Sequence, residues 1–378
     1  MTVHIKDFIE QEFYHFHSHP ELSYQEFETT KRLKEDLEKN GIKILPLDLK
    51  TGVVAEIGQG DTTVAIRADI DALPVQENTD LPYKSTVSGV MHACGHDSHA
   101  ATILGAALLL KEHEKELMGK VRVIFQPAEE APGGAGTVIK AGGLDGVKAI
   151  FGIHSSSLFD VGTLGISAGP NHAAVEKFKI VFTGKGTHAA QPQQGNDAII
   201  IGTNFVNAAQ SIVSRNIDAS HAVVVSITHF EAGTTWNVIP ENVLLEGTIR
   251  TYTKEDRLIA KSRLEEIAKG IASTFNAKVD FEWLVELPAT INDGPLSDFA
   301  KEVALKEGFK VEANPKSLGG EDFSLYQEVI PGSFIMIGTG ASYPNHNPNF
   351  MIDPKAIYPT AQYVAKLATT YLEKTNNE

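Results

Sequence analysis

The order of predicted elements changes near Gly169, and this change limits the folds open to the chain. Up to that point, short apolar runs alternate with helical segments, as in VVAEIG, TTVAIRADID, HAATILGAALLLKEHEKEL, KVRVIFQ and VKAIFGIH. Apolar strands separated by helices indicate a mostly parallel sheet that is buried on both faces. Residues 171–287 instead follow the order β-α-β-β-α-β, which is typical of a ferredoxin-like unit.

We therefore predict an α/β fold of two domains. The larger domain, residues 1–170 and 288–378, has a mostly parallel sheet with flanking helices, because the α/β alternation resumes after the middle block. A ferredoxin-like domain of residues 171–287 interrupts it. A chain of 378 residues is long enough for two hydrophobic cores.

The balance of charges argues against two classes of partner. The 33 basic and 48 acidic side chains give a net charge of −15, which repels nucleic acid and anionic membrane surfaces. The first residues show no basic segment followed by an apolar stretch, and no window approaches the roughly 20 apolar residues of a membrane span. A single cysteine cannot form an internal disulfide. We expect a cytoplasmic protein that binds neither nucleic acid nor membranes.

Polar side chains cluster at the ends of predicted strands. In an open parallel sheet, ligands bind beyond the carboxyl ends of the strands. Residues of this kind follow four separate strands: Asp69, Asp71, Glu129, Glu130, His154 and His346. A lone histidine near a strand end is more often a structural residue, so the functional interpretation depends on the convergence of the whole set at one edge.

The segment VMHACGHDSHAAT, residues 90–102, holds the only cysteine among three histidines. Cys94 and His96 flank Gly95, and both side chains can reach one centre if the backbone turns there. Further donors of the same kind are Glu130, His154 and His346. A thiolate, imidazoles and a carboxylate together favour zinc, manganese, cobalt or nickel over calcium or magnesium. Taken alone, Cys94 is more simply a small buried hydrophobic residue.

Glu129 and Glu130 are consecutive, between QPA and APGGAG. In an extended segment neighbouring side chains point in different directions, so one carboxylate can bind a metal while the other takes a proton from water. Metal-assisted hydrolysis needs this division of labour, because the metal lowers the pKa of water from about 15.7 toward 7. The glycines that follow match neither common phosphate-binding motif, and we interpret them as loop formers.

Six segments occur in order along nearly the whole chain: HACGHDSHAA, FQPAEEAPGGA, FGIH, GKGTHAAQP, NVIPENVLLEGTIRT and GGEDFSLY. Together they resemble the metal-dependent amidohydrolase branch of the aminoacylase/carboxypeptidase G superfamily. Its members include hippurate hydrolase, auxin-amino-acid hydrolases and bacterial N-acetyl-amino-acid deacetylases. The resemblance implies that the larger domain is catalytic and holds two divalent ions of manganese, zinc, cobalt or nickel. It also implies that residues 171–287 form a lid that often mediates dimerisation.

The resemblance implies a role for each candidate residue. The metal ligands are Cys94, His96, Glu130, His154 and His346, with the Cys94 thiolate suited to bridging. Glu129 is the general base and later the proton donor to the leaving amine, and Asp69 supports the metal site. His188 polarises the scissile carbonyl, commonly from the partner subunit, while Asn237 and Arg250 hold the α-carboxylate of the substrate. Without the resemblance, Arg250 would be interpreted as a charge on the surface of a strand.

The activity implied is hydrolysis of an N-acyl-amino acid, most simply an N-acetyl-amino acid, by a homodimer. A dipeptidase or a pathway-specific N-acetyl-diaminopimelate deacetylase is an alternative of the same class. An inactive relative that binds amino-acid derivatives is the alternative of another class, and the presence of Glu129 beside every expected ligand argues against it. The chain departs from relatives at Tyr14 and His15, where they usually carry arginine and aspartate. We expect the segment FHSHPELS that follows to be structural.

Overall fold

The computed structural model describes residues 2–340 and 343–377, which form two compact units. The first unit comprises the chain up to Gly169, Ile291–Pro315 and the chain from Asp322 onward. The second unit comprises Pro170–Thr290 and the short return segment Lys316–Glu321. Among the described residues, no helix combines the length and the apolar character that crossing a bilayer requires.

In chain order, the α-helices are α1 (Thr2–Ser18), α2 (Phe27–Lys39), α3 (His96–Glu112), α4 (Gly134–Lys140), α5 (Ala198–Ala209), α6 (Ser211–Asn216), α7 (Lys254–Thr274), α8 (Gly294–Lys306), α9 (Phe323–Gln327) and α10 (Ile357–Asn377). Short 3₁₀ helices cover Glu114–Glu116, Pro192–Gln194 and Pro354–Ala356. The strands are β1 (Lys43–Ile44), β2 (Val53–Gly58), β3 (Thr63–Asp69), β4 (Lys120–Gln126), β5 (Val147–Ser156), β6 (Thr163–Gly165), β7 (Gly169–His172), β8 (Ala174–Thr183), β9 (Thr187–His188), β10 (Val224–Ala232), β11 (Val238–Ile239), β12 (Asn242–Thr251), β13 (Lys278–Leu287), β14 (Thr290–Asn292), β15 (Lys310–Glu312) and β16 (Gly332–Gly338).

The first unit is built on an eight-stranded sheet with the order β1-β2-β4-β3-β5-β16-β6-β15. Its central strands β4, β3, β5 and β16 run parallel, and every residue of β3 and β16 is buried. This sheet with its flanking helices confirms the predicted α/β class. Antiparallel pairs flank the centre, at β2 against β4 and at β6 against β16. The connection of residues 59–62 between β2 and β3 is too short for the helical crossover that parallel strands need.

The helix α3 lies deep in the first unit, and most of its side chains are buried. Small residues permit this close packing. A Cβ added to Gly105 would lie 2.7 Å from the Cδ1 of Ile9 in α1 and 3.0 Å from the Cβ of Ala361 in α10. Interiors packed at this density leave little room for movement, so the N-terminal end of α3 at His96 is a rigid support for functional groups.

The second unit contains an antiparallel sheet with the order β10-β12-β8-β13, which is the strand order of a ferredoxin-like unit. Alternate residues of β8 are buried with the helices α5 and α7 in one core, for example Phe178 and Phe182 with Phe205 and Leu264. The first helical segment of this unit is broken at Gln210 into α5 and α6.

Candidate active site and metal centre

The carboxyl ends of the four parallel strands of the first unit carry the predicted polar residues. Asp69 is the last residue of β3, Glu129 and Glu130 follow β4, and His346 lies in the segment after β16. His154 lies inside β5 rather than beyond it. Since β4, β3, β5 and β16 are neighbours and parallel, these positions meet at one edge of the sheet.

A left-handed turn at Gly95 directs the side chains of Cys94 and His96. Gly95 has φ of +87° and precedes the first residue of α3. A Cβ at this position would lie 2.6 Å from the Oγ of Ser155 and 2.8 Å from the Cδ1 of Ile352. Both the backbone conformation and the lack of space require glycine, and the tight turn is the condition under which both donors reach one centre.

Donor atoms from several elements come together beyond this turn. In three overlapping groups, one donor atom per residue lies within 4.8 Å of the others: Cys94, His96 and His154; Cys94, Glu130 and His346; and His96, Glu129 and Glu130. The Sγ of Cys94 lies 3.4 Å from the Nε2 of His154, and the Nε2 of His346 lies 3.1 Å from the Oε1 of Glu130. Cys94 belongs to two of the groups, so its sulfur is placed to contact two centres.

The imidazoles of this cluster favour the ionised thiol of Cys94, and the acidic groups favour protonation of His346. Burial opposes ionisation of Cys94, but the imidazoles of His154, His346 and His96 outweigh it and hold the pKa of the thiol well below its usual range. Hydrogen bonds with Cys94 and Glu130 raise the pKa of His346 to about 10. Without a metal the cluster therefore has a thiolate beside a protonated His346, and a divalent cation would compete with that proton for the same electron pairs.

The donor set fits a transition metal. The Nε2 of His96 is buried and has no hydrogen-bond partner among the described residues. A buried polar atom without a partner is costly, and coordination of a metal ion would satisfy it. Thiolate, imidazole and carboxylate together match zinc, manganese, cobalt or nickel. The residues of this edge could therefore hold such ions.

His99 lies close to the same cluster but is already saturated. The N–H of Ser155 donates to its Nε2 at 2.7 Å, so the ring proton is on Nδ1, which lies 2.5 Å from the Oδ1 of Asp69. Burial lowers the pKa of His99 to about 4, against the effect of Asp69, and the ring is neutral. The other oxygen of Asp69 accepts from Arg67 at 2.6 Å. Sequence reasoning missed His99 and Arg67, although His99 follows His96 by one helical turn.

The loop that carries Glu129 and Glu130 is held through its backbone. The Oε1 of Glu26 accepts the N–H of Ala128 at 2.8 Å, and the hydroxyl of Tyr24 donates to the carbonyl of Pro132 at 2.7 Å. Ala128 has φ of +53°, a left-handed conformation that non-glycine residues seldom adopt. No role for Tyr24 or Glu26 is visible in the sequence, because no local pattern reveals contacts with residues more than 100 positions away.

The second unit carries the other predicted residues. The N–H of Ala189 donates to the carbonyl of Asn237 at 3.0 Å, which brings His188 and Asn237 onto one ribbon formed by β9 and β11. The Nδ1 of His188 accepts the N–H of Ala190 at 3.0 Å, so its Nε2 carries the proton as a donor. Arg250 lies on β12; in the part of the chain that the structure describes, its guanidinium has no ion-pair or hydrogen-bond partner, and burial lowers its pKa.

Comparison with known proteins identifies close relatives. The sequence model of peptidase family M20/M25/M40 matches residues 65–370. An N-acetylcysteine deacetylase of Bacillus subtilis (strain 168) is 49% identical over 360 residues, covering 94% of this chain and 95% of that protein. The IAA-amino acid hydrolase ILR1-like 4 of Arabidopsis thaliana is 42% identical over 369 residues, covering 94% and 84%. A crystal structure of the Bacillus subtilis YXEP protein, a dinuclear metal binding peptidase from the M20 family, has a TM-score of 0.88 at 44% identity and covers 98% of this chain and 99% of that one.

Proposed function

Because the chain belongs to peptidase family M20/M25/M40, we propose that it hydrolyses the amide bond of N-acyl-amino acids to a carboxylate and a free amino acid. The names of two relatives support an amide substrate with an amino-acid part, since one deacetylates N-acetylcysteine and the other hydrolyses IAA-amino acids. We place N-acetyl-amino acids first, because the deacetylase has the higher identity to this chain.

The observation that carries the proposal is the convergence of soft and hard donors beside Glu129. We assign as ligands of two divalent ions Cys94, His96, Glu130, His154 and His346. Cys94 would contact both ions, because it belongs to two donor groups, and the dinuclear YXEP protein supports the number of ions. Manganese, zinc, cobalt or nickel bound there would supply Lewis acidity, which lowers the pKa of water toward about 7 and polarises a carbonyl.

Glu129 is proposed as the general base. A donor oxygen of its carboxylate lies within 4.8 Å of donor atoms of His96 and Glu130, so it is close enough to accept a proton from water beside the ligands. The same oxygen then returns the proton to the departing nitrogen, which leaves as an amine. Asp69 is proposed to support the site through His99, whose ring it holds at 2.5 Å.

The second unit is proposed to supply substrate contacts. We assign the domains as a catalytic part, residues 1–170 and 288–378, and a lid, residues 171–287. The Nε2 proton of His188 suits donation to the oxygen that becomes negative when the carbonyl is attacked. The half-buried guanidinium of Arg250, which has no partner among the residues that the structure describes, suits a bidentate grip on the substrate carboxylate, with Asn237 as a second contact.

We also propose that the lid mediates a homodimer. Several large apolar side chains of the second unit are exposed, among them Trp236 at 91%, Val238 at 51% and Phe230 at 39%. Exposed apolar side chains of this size are typical of a surface that a partner covers. Sedimentation equilibrium should give a dimer that Trp236→Ser weakens, whereas a monomer at all concentrations would contradict the assignment.

A substrate and metal panel tests the function. The apo-protein is loaded with manganese, cobalt, nickel or zinc, and each form is assayed on N-acetyl, N-benzoyl and indole-acetyl amino acids, with dipeptides in parallel. We expect two metal ions per chain and turnover of at least one N-acetyl-amino acid. Faster turnover of dipeptides would favour the dipeptidase alternative. Two bound ions with no turnover of any amide would favour an inactive binding protein.

A further inference from the structure

Asp71 accepts four hydrogen bonds, although sequence analysis assigned it no role. Its Oδ1 lies 3.2 Å from the Nδ1 of His96 and 3.0 Å from the N–H nitrogen of Glu129. Its Oδ2 lies 2.6 Å from the hydroxyl of Ser23 and 3.0 Å from the N–H nitrogen of Glu130. The side chain is 1% exposed. Each oxygen receives two donors, and among side chains of this size only a carboxylate offers acceptors on both atoms.

The contact with His96 determines which ring nitrogen is free. Because Nδ1 must carry the proton in order to donate to Asp71, the lone pair is on Nε2. This Nε2 is the buried atom that lacks a hydrogen-bond partner in the described part of the chain. Asp69 cannot take this role, since His99 and Arg67 contact its two oxygens and the Nε2 of His96 lies 3.8 Å away.

The contacts with the loop determine the directions in which the side chains of Glu129 and Glu130 point. Three successive N–H groups, those of residues 128, 129 and 130, donate to two buried carboxylates, Glu26 and Asp71. Ala128 has a left-handed backbone conformation, which costs energy and persists only where the surrounding contacts hold it. Since the direction of each Cα–Cβ bond follows from the backbone, anchoring these amides orients both glutamates.

We propose that Asp71 is a positioning residue that couples the orientation of His96 to the conformation of the Glu129–Glu130 loop. The inference rests on the proposed function and deepens it. The carboxylate of Asp71 contacts the imidazole ring of His96, a proposed metal ligand. The same carboxylate contacts the backbone N–H of Glu129, the proposed general base. The hydroxyl of Ser23 fills the remaining acceptor position of that carboxylate.

Asp71→Asn tests the coupling, with Glu26→Gln as the matched control. In Asp71→Asn one acceptor becomes an NH₂ group, which must face either the His96 and Glu129 donors or those of Ser23 and Glu130. In Glu26→Gln the same chemical change occurs at a buried carboxylate that contacts the same loop, but the remaining oxygen still accepts from Ala128. Among the described contacts of Glu26, none is with His96.

Two quantities are measured for each variant: the affinity for Zn²⁺ and Mn²⁺, by competition with a chromogenic chelator, and kcat at saturating metal. For Asp71→Asn we expect metal affinity to fall roughly 10–100-fold, as for other residues that orient metal ligands. We also expect kcat to stay at least about 10-fold low when metal is saturating, because the base is displaced. Glu26→Gln keeps the acceptor for Ala128, so it should lose clearly less than Asp71→Asn in both quantities.

The proposal requires both effects. Full recovery of kcat by excess metal would overturn the link to Glu129, and unchanged metal affinity would overturn the link to His96. Equal losses in Glu26→Gln would overturn the specific role of Asp71. A wild type that neither binds metal nor hydrolyses any substrate in the panel would overturn the proposed function, which is a separate result.

Amide hydrogen exchange of the wild type keeps the proposal testable if Asp71→Asn does not fold. The amides of Glu129 and Glu130 are half-buried in a turn, and their protection depends on the carboxylate of Asp71. Slow exchange of both amides in metal-free wild type is expected. Exchange at the rate of an open loop would overturn the proposal without reference to any variant or to activity.

Discussion

The Nδ1 of His17 lies 2.6 Å from the Oδ2 of Asp97, in a buried contact that ties α1 to the residue directly after His96. The Nε2 of the same ring lies 3.2 Å from the Oε1 of Glu77, in the long loop that precedes Cys94. His17 belongs to the segment FHSHPELS. Through these contacts it links α1 to Asp97, which follows His96, and to the loop that precedes Cys94.

The first prediction concerns pH. Burial would lower the pKa of His17, but the hydrogen bonds and charges of Asp97 and Glu77 outweigh it and raise the pKa to about 9 from the ordinary 6.5. The folded-state pKa is the higher one, so the stabilisation is complete below pH 6.5 and is lost as the pH rises through about 9. Urea unfolding of metal-free protein should therefore show a falling free energy of unfolding over that window.

His17→Gln should be less stable than the wild type at pH 6.5. Its free energy of unfolding should change less than that of the wild type between pH 6.5 and pH 9. His113→Gln is the control, because the ion pair that the structure describes for the His113 side chain, with Glu116, is exposed. A wild-type profile that is flat between the two pH values would contradict the buried charged pair.

The second prediction concerns the turn before α3. Gly95→Ala should destabilise the first unit by about 1–3 kcal/mol or more, since the backbone is left-handed and the methyl group would contact Ser155 and Ile352. Gly89→Ala is the matched control, because Gly89 has φ of +76° with nothing within 4 Å of an added Cβ. Thermal unfolding should rank Gly95→Ala well below Gly89→Ala, and equal midpoints would show that the space around Gly95 is not limiting.

The third prediction separates the two adjacent glutamates. Glu129→Ala should reduce turnover by roughly 10²–10⁴-fold while the metal content stays near that of the wild type, because the base is lost and the ligands are kept. Glu130→Ala should instead lose metal. Metal analysis beside steady-state kinetics checks both variants, and a metal-free Glu129→Ala protein would mean that the two roles are reversed.

The fourth prediction concerns the substrate carboxylate. Arg250→Lys should lower kcat/KM for N-acetyl-amino acids, since an ammonium group cannot reproduce a planar two-point contact. Substrates whose carboxylate is capped as an amide should be poor for the wild type and should change little in the variant. Equal kcat/KM values for capped and uncapped substrates in the wild type would argue against carboxylate recognition by Arg250.

The fifth prediction concerns metal removal. With the metals stripped by a chelator, the Cys94 thiolate is the oxidisable group of the site, and peroxide should then block reactivation by added metal. Reductant should rescue only the sulfenic stage, and metal-loaded enzyme should resist for longer. Mass spectrometry of the peptide with Cys94 is compared with the recovered activity. Complete reactivation of fully oxidised protein would mean that the thiol is only a packed hydrophobic residue.

Local patterns carried much of the fold. The alternation of short apolar runs with helices predicts the central parallel strands, because strands buried on both faces have mainly apolar residues, as in VAI of β3 and FIMI of β16. Local patterns did not predict that β2 pairs antiparallel with β4, or that the helical segment breaks at Gln210. The first depends on where the strand inserts in the sheet, and the second on how α5 and α6 pack.

The chemistry that the candidate site can have follows from residue type, because thiolate, imidazole and carboxylate groups belong to particular side chains. Which of these groups act together depends on the fold. Arg67 and Asp322 are 255 positions apart in the sequence, yet the Nη2 of Arg67 lies 2.9 Å from the Oδ1 of Asp322. Asp71 likewise contacts the ring of His96 and the backbone N–H groups of Glu129 and Glu130. Such partners depend on the order of strands in the sheet, which brings distant segments to one edge, and no local pattern of residues encodes that order.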